Sequence, residues 1–388
     1  MDHIIELLSR ELDRPVQHVE NIVTLLDEGN TVPFIARYRK ELHGAMDDQL
    51  IRQLADRLQY LRNLQARRDE VKQSIENQGK LTEELSAAID AAATLAEVED
   101  LYRPYKQKRR TRATMAREKG LEPLAELAFA IGPAVDLEGA AADYIDPGKG
   151  VETVQDALQG ASDIVAEWIS DDADVRKLLR ELYWRRASIV SRAAAKEPED
   201  SVYRLYYEFS SPVSKTQGHQ ILAMNRGERE EILKVDVEMD RETALVALRR
   251  RAVPGRAAME FVRAAAEDAY DRLIAPSLER ELRGELTDRA SEGAIGQFAL
   301  NLKPLLMQPP VKGFVTMGLD PGYRMGCKVA VVDPTGKVLD TTVVYPTHGE
   351  RGKNEAIDRL AVLIKKHKVA HIAIGNGTAS RETEQMAV

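Results

Sequence analysis

Apolar residues recur every three or four positions through most of the chain, which is the spacing of a helix that buries one face. In the opening segment HIIELLSREL this stripe consists of Ile4, Ile5, Leu8 and Leu12. Residues 15–29 repeat the pattern between an opening proline and a closing glycine. The first part of the chain is therefore predicted to form two short helices in succession, as a helical hairpin.

A longer helix is predicted over residues 47–78, which contain neither proline nor glycine. Leucine recurs in this segment every three or four residues, at Leu50, Leu54, Leu58, Leu61 and Leu64. At 1.5 Å per residue such a helix is a rod about 45 Å long. Helical patterns resume at residues 153–169, 172–195 and 242–306. Residues 230–239 contain a period-two stretch, which predicts a short strand.

The pattern changes at residues 307–313, where two successive prolines in MQPPVKG disfavour a helix. The segments that follow are three β-rich runs, an amphipathic helix, an apolar strand and the start of a further helix, at 314–320, 327–333, 337–345, 353–368, 369–377 and 378–388. The order β-β-β-α-β-α with one crossover is the ribonuclease-H-like arrangement, and its apolar last strand is of the kind buried in a parallel sheet. Because such a domain needs further strands and helices, we expect the chain to be part of a longer protein.

The predicted fold class is mainly α, a multi-helix scaffold, joined to a partial α/β domain of the ribonuclease-H-like class. We place the domain boundaries by these changes of pattern. The expected domains are an amino-terminal helical domain at 1–200, a central and mainly helical region at 201–311, and the incomplete α/β domain at 312–388.

Composition narrows the class of protein. The chain has 388 residues, of which 44% are hydrophobic and 30% charged, as in a soluble globular protein. No apolar stretch approaches the roughly 18 residues that span a bilayer, and the first residues do not resemble a signal peptide. Cys327 is the only cysteine, so no intramolecular disulfide forms and a cytoplasmic location is expected. We expect a monomer.

Net charge excludes one class of nucleic-acid-binding protein. The formal net charge of −8 argues against a uniformly basic protein that coats nucleic acid, but it leaves room for one local basic surface. The seven histidines are scattered without the paired spacing of a zinc site, and no glycine-rich phosphate loop is present. No cofactor and no metal are therefore expected.

One short segment concentrates positive charge. YRPYKQKRRTR, residues 102–112, contains six cations and no acid, and Pro104 makes a non-helical loop or turn the expected structure. Cations in an exposed loop suit phosphate contacts, and the two tyrosines can stack on unpaired bases. The alternative is a solvated loop whose tyrosines pack on neighbouring helices. The candidate nucleic-acid-binding residues are Tyr102, Arg103, Tyr105, Lys106, Lys108, Arg109, Arg110 and Arg112.

A second basic segment, FIARYRKE at residues 34–41, is interpreted differently. Arg37 and Lys40 lie about one helical turn apart, and acids follow at Glu41, Asp47 and Asp48. We predict that these charges form a salt-bridge cluster that holds the helical scaffold.

Four blocks of the sequence resemble the bacterial Tex family of transcription accessory proteins. They are LLDEGNTVPFIARYRKE, VEDLYRPYKQKRRTRA, GHQILAMNRGERE and GLDPGYRMGCKVAVVD, at residues 25–41, 98–113, 218–230 and 318–333. The resemblance implies a helical amino-terminal part with a helix-turn-helix-like element, followed by a YqgF-type ribonuclease-H-like domain. It also implies nucleic acid, as RNA, DNA or both, and the transcription machinery as expected partners.

The same resemblance bears on catalysis. It places the first acid of a ribonuclease-H-like nuclease at Asp320 and a second acid at the end of the fourth strand, where this chain has Asn376. Nucleases of this class hold two divalent cations with several carboxylates, and one aspartate does not supply the charge. Asp320 is therefore interpreted as vestigial. The expected function is a non-catalytic scaffold that binds nucleic acid, with a metal-dependent nuclease or a purely protein-binding scaffold as alternatives.

Overall fold

The computed structural model of the chain describes residues 2–107, 109–194, 201–309 and 311–388. The chain forms two compact units, Met1–Ile295 and Gly296–Val388. The domain boundaries expected from sequence at residues 200 and 311 stay predictions.

Helices predominate in the described residues. In chain order the α-helices are α1 (Asp2–Leu12), α2 (Val16–Asp27), α3 (Val32–Tyr38), α4 (Lys40–His43), α5 (Asp48–Glu76), α6 (Glu83–Ala91), α7 (Leu95–Tyr102), α8 (Arg112–Glu118), α9 (Glu122–Phe129), α10 (Leu137–Ala141), α11 (Val154–Asp171), α12 (Ala173–Arg186), α13 (Gly218–Arg229), α14 (Arg241–Ala252), α15 (Met259–Asp268), α16 (Ala275–Leu306), α17 (Gly349–His367) and α18 (Ser380–Ala387). A π-helical segment, Ala269–Ile274, joins α15 to α16.

Two small sheets complete the architecture. Their strands are β1 (Ser188–Ala193), β2 (Glu208–Pro212), β3 (Leu233–Glu238), β4 (Thr316–Asp320), β5 (Cys327–Val332), β6 (Val338–Val344) and β7 (His371–Ile374). The mainly helical fold with a partial ribonuclease-H-like domain is therefore confirmed. None of the helices in the described part of the chain is long and apolar enough to cross a membrane.

The leucine stripe forms the predicted rod. Asp47 caps α5 by accepting a hydrogen bond from the backbone N of Leu50 at 2.8 Å, and the helix then runs for 29 residues, about 44 Å. The buried side chains of the rod include Ile51, Leu54, Leu58, Leu61 and Leu64. The first half of the rod packs with α1, α2 and α3, and the second half packs with α6 and α7. The predicted α1–α2 pair is confirmed, while its identity as a helix-turn-helix-like element stays a prediction.

The helix predicted at 172–195 is wrong beyond Arg186. The chain leaves α12 there and enters β1, which is the central strand of an antiparallel sheet in the order β2-β1-β3. Ile189 and Val190 are β-branched residues that favour a strand, and both are buried. The strand predicted within 230–239 is confirmed as β3.

A buried ion network ties three helices of the first unit together. The Asp100 side chain on α7 accepts hydrogen bonds from Arg176 Nε and Arg180 Nη2 of α12, both at 2.7 Å. Glu281 on α16 pairs with the same two arginines, and Ser277 accepts a hydrogen bond from Arg176 at 3.2 Å. Asp100 is 5% exposed and Arg176 2%. Burial lowers the pKa of Arg176, as does the nearby charge of Arg103.

The second unit contains the order of elements that the sequence predicts. The strands lie in the order β6-β5-β4-β7, and β4 pairs in parallel with β7 and antiparallel with β5. Met317 and Leu319 of β4 pack with Leu360 and Leu363 of α17 in the core of this unit. The crossover through α17 therefore covers one face of the sheet.

The other face of this sheet is open among the described residues. Gly318 of β4, Ala330 and Lys328 of β5, and Ala373 of β7 line it. The expectation that β7 is fully buried is wrong, because His371, Ile372 and Ala373 are exposed. One face of the strand lacks a covering layer in the described part of this unit, and the strand is also at the edge of the sheet.

Removing the buried carboxylate is predicted to destabilise the first unit strongly. In Asp100→Asn two arginines lose a buried countercharge, so the free energy of unfolding should fall by about 3–5 kcal/mol. Denaturant unfolding followed by tryptophan fluorescence measures this, because Trp168 and Trp184 are both in the first unit. The matched control is Glu181→Gln, which removes the exposed partner of Arg185 on the same helix and should cost less than about 1 kcal/mol. Equal losses of unfolding free energy in the two variants would contradict a stabilising role of the buried ion network.

The second unit is predicted to lose stability at low pH. Hydrogen bonds from Lys366 and His367 lower the pKa of Asp340 from 3.8 to about 2. The carboxylate therefore stabilises the unit fully above about pH 4, and this contribution is lost as the pH falls through 2. The protection factors of the α17 amides, which correct exchange rates for the intrinsic effect of pH, should fall over that range, and Asp340→Asn should flatten the dependence. If Asp340→Asn kept the pH dependence of the parent chain, Asp340 would not be the group that causes the loss of stability.

Candidate nucleic-acid interface

The basic segment at residues 102–112 leaves α7 through a tight turn. Tyr102 ends α7, and a 3-10 turn follows at Arg103–Tyr105 with Pro104 in its first positions. The described residues between this turn and Thr111 lie outside helices and strands, as the sequence predicts. Thr111 then caps α8 with a capping box, its side chain accepting from the backbone N of Thr114 at 3.0 Å.

The first cations of the segment are held by acids of the scaffold. Arg103 Nε lies 3.1 Å from Asp171 on α11, whose side chain is 10% exposed. Lys106 Nζ is 3.8 Å from Glu99 on α7, and Lys106 remains largely exposed. Arg103 therefore anchors the base of the segment, whereas Lys106 has only a weak surface pair. Lys108 lies outside the described residues.

The later cations face solvent. Arg109, Arg110 and Arg112 are exposed, and we refer to these three residues as the arginine patch. Arg110 has one pair with Glu118 at 3.5 Å, in which both side chains are more than 60% exposed. Among the described residues no acid forms an ion pair with Arg109 or Arg112. Burial raises the pKa of the Asp163 carboxyl on α11, and Arg112 is close enough for its charge to oppose this shift. The patch therefore presents positive charge that the described part of the scaffold compensates only in part.

The tyrosines of the segment lie against the helices. Tyr102 and Tyr105 are half-buried and pack on the cluster formed by the second half of α5 with α6 and α7. The Tyr102 hydroxyl is hydrogen-bonded to Ser74 Oγ at 2.9 Å, and the Arg67 guanidinium carbon lies 5.5 Å from the Tyr102 ring centroid. The tyrosines therefore pack on neighbouring helices, which is the alternative that the sequence left open. This packing does not test whether the rings also stack on bases.

Asp320 lies at the end of β4 in the second unit, and its side chain is exposed. The Asp320 carboxylate lies beside Gly375, the residue just beyond the parallel strand β7. A methyl group placed on the Gly375 Cα would be 3.8 Å from Asp320 Oδ1. Asn376 follows directly. The structure therefore brings together the two strand ends that the resemblance pairs, and they carry one carboxylate and one amide. With Lys328 and Gly375, Asp320 lines an open cavity of about 810 Å³ on the uncovered face.

The other acids near this edge do not complete a metal site. Glu382 of α18 accepts a hydrogen bond from the Tyr323 hydroxyl at 2.7 Å, and this bond lowers the Glu382 pKa. No group of three or more histidine, cysteine or acidic side chains suited to a metal ion occurs among the described residues. Cys327 is fully buried, and burial and the Asp320 charge raise its thiol pKa. One carboxylate with an amide neighbour gives a weak donor set for a pair of hard cations.

The salt-bridge cluster predicted for residues 34–41 is wrong. Arg37, Arg39 and Lys40 have no ion pair with any acid among the described residues, and Asp47 is used as the cap of α5. The reason is a break in the helix at Arg39, which has φ −129° and ψ 29° and separates α3 from α4. Arg37 and Glu41 are four residues apart in sequence, but they do not share one helical face.

Comparison with known proteins identifies the family. Three family models match the chain: the Tex-like protein N-terminal domain at residues 2–76, the Tex central region-like model at 132–298, and the Tex protein YqgF-like domain at 314–388. The chain therefore belongs to the Tex family.

Individual relatives cover nearly the whole chain. The transcriptional accessory protein Tex of Neisseria gonorrhoeae is 42% identical over 99% of this chain and 51% of its own length. The uncharacterized protein YdcI of Bacillus subtilis is 45% identical over 98% of this chain and 54% of its own length. The human S1 RNA-binding domain-containing protein 1 is 35% identical over 98% of this chain and 39% of its own length. The chain thus spans about half the length, or less, of the curated relatives it matches.

The weak donor set at Asp320 predicts the outcome of a manganese titration. Electron paramagnetic resonance of free Mn²⁺ should show no pair of tightly bound ions, because a single carboxylate does not offset the dehydration of two cations. The control variant Asp320→Asn should give the same isotherm as the parent chain. Two ions bound by the parent and lost in this variant would show that the carboxylate is a working ligand.

Proposed function

We propose that this chain is a nucleic-acid-binding part of a transcription accessory protein and that the arginine patch contacts the phosphate backbone. The single observation that carries the proposal is the exposure of Arg109, Arg110 and Arg112, none of which has, among the described residues, a close ion pair with a buried acid like that of Arg103 with Asp171. The name of the Neisseria gonorrhoeae relative supports the role in transcription. The name of the human relative, which refers to RNA binding, supports nucleic acid as a partner.

The physical basis is the release of counterions from nucleic acid. Each cation that pairs with a phosphate releases a condensed counterion, so binding weakens steeply as salt concentration rises. A patch whose cations already had close acidic partners would gain little from this exchange. Arg103 is engaged in this way with Asp171, so in the proposal it positions the segment and does not bind phosphate.

We infer that the chain acts without catalysis. Asp320 and Asn376 mark the strand ends at which a nuclease of this fold needs several carboxylates, and a single carboxylate supplies too little charge. In the proposal the ribonuclease-H-like unit serves as a structural module of the scaffold. The partners of the chain in transcription are other proteins or nucleic acid.

Charge reversal of the patch tests the proposal. Fluorescence anisotropy of a labelled duplex of about 20 base pairs should show affinity that falls steeply from about 50 to 200 mM salt. The double variant Arg109→Glu, Arg110→Glu should reduce the slope of log affinity against log salt by about 2, because two phosphate contacts are lost.

The matched control reverses two exposed arginines that have acidic neighbours on their own helices. Arg10 pairs with Glu6 and Arg263 with Glu260, so Arg10→Glu with Arg263→Glu makes the same change in net charge away from the patch. This control should keep the parent slope. Equal slopes in the patch variant and the parent, or no binding by the parent at low salt, would overturn the proposal.

A further inference from the structure

An exposed aromatic and basic surface lies at the junction of α3 and α4, away from the sequence segment of the arginine patch. Phe34, Arg37 and Tyr38 are spaced at i, i+3 and i+4 on α3, so they share one face of the helix. Ile35, about 100° around the helix from Phe34, is fully buried in the cluster formed by α1, α2, α3 and α5. Phe34 is half-buried, whereas Arg37 and Tyr38 are exposed, so the face is open to solvent at these two residues.

The aromatic side chains of this face contact each other in a tilted arrangement, with Arg39 over the Phe34 ring. The guanidinium carbon of Arg39 lies 5.1 Å from the ring centroid of Phe34. The Phe34 and Tyr38 centroids are 5.3 Å apart, with the rings tilted by 46°. Tyr38 is 56% exposed beside Phe34. An aromatic ring held by its neighbour but open to solvent is a platform on which a planar group can stack.

The charges around the platform are uncompensated. Residues 34–41 contain three cations, Arg37, Arg39 and Lys40, against the single acid Glu41, which leaves a local charge of +2. Arg37 and Lys40 are exposed, and neither forms an ion pair within the described residues. Positive charge beside an open aromatic ring is complementary to a phosphate next to an unpaired base.

Hydrogen bonds and a glycine cap position α3 and α4 on the scaffold. The Ile35 carbonyl oxygen lies 3.1 Å from Nε2 of His43, which is fully buried. Asn21 of α2 donates from Nδ2 to the carbonyl oxygen of Leu42 at 2.7 Å. Gly44 ends α4 in the left-handed region at φ 62°. A platform fixed in this way loses little conformational freedom when a ligand binds.

We propose that this surface, defined by Phe34, Arg37, Tyr38, Arg39 and Lys40, is a binding site for single-stranded nucleic acid. One unpaired base stacks on Tyr38, and Arg37 and Lys40 pair with the flanking phosphates. The site is separate from the arginine patch and goes beyond the function proposed above. It selects single strands because the bases of a duplex are already stacked on each other.

Substitution of Tyr38 tests the site. Anisotropy titrations use the full chain with a labelled oligothymidylate of about 15 nucleotides and with a duplex of the same length. Tyr38→Ala should weaken binding of the single strand by about 5-fold or more and change binding of the duplex by less than about 2-fold. Tyr38→Phe keeps the ring and should restore the parent affinity.

The charge variant and its control complete the test. Arg37→Glu with Lys40→Glu should lower single-strand affinity further and flatten its salt dependence, whereas Arg10→Glu with Arg263→Glu should not. Unchanged thermal unfolding shows that Tyr38→Ala is folded. Parent-like single-strand binding by Tyr38→Ala, an equal loss for the duplex, or no single-strand binding by the parent would overturn this proposal. Neither of the first two outcomes decides the arginine patch, which is tested by the duplex salt slope of its own variant and by duplex binding of the parent at low salt.

Discussion

The buried carboxylate of Asp100 is the constraint on which the first unit depends. It lies between Arg176 and Arg180, one helical turn apart on α12, and Glu281 of α16 closes the network from the other side. Ions removed from water in this way are stable only as a complete set, because any unpaired member keeps the full cost of desolvation. The carboxylate therefore fixes the distance and orientation between α7, α12 and α16.

The basic segment begins directly at the end of the helix that this network holds. Tyr102 is the last residue of α7, and Arg103 adds a second anchor through Asp171 of α11. The half-buried tyrosines then cover the second half of the α5 rod. Because its base is fixed at these points, the segment presents its later arginines to solvent. In our account the basic segment binds phosphate through its charges alone. The aromatic contact to an unpaired base is made by a different surface, on α3.

The sequence predicts what local spacing controls. The leucine period locates α5, and the order of elements locates the ribonuclease-H-like unit with its parallel β4–β7 pair. It does not predict interactions between distant residues. Asp100 and Arg176 are 76 residues apart, and nothing local to Asp100 indicates its burial. The salt-bridge cluster predicted for residues 34–41 is wrong for a similar reason, because one backbone break at Arg39 separates side chains that a continuous helix would place on one face. Strand β1 was missed because its short apolar run follows a strong helical pattern.

Local amide hydrogen exchange in Asp100→Asn tests most directly whether the buried network holds the basic segment in place. Peptides that cover α7, the turn after it and α12 should exchange faster than in the parent chain, whereas the α1–α2 pair should be unchanged because it packs in a separate cluster. Glu181→Gln should leave the exchange of all these peptides as in the parent. Parent-like exchange in α7 and the following turn of Asp100→Asn would show that the segment is positioned by other contacts.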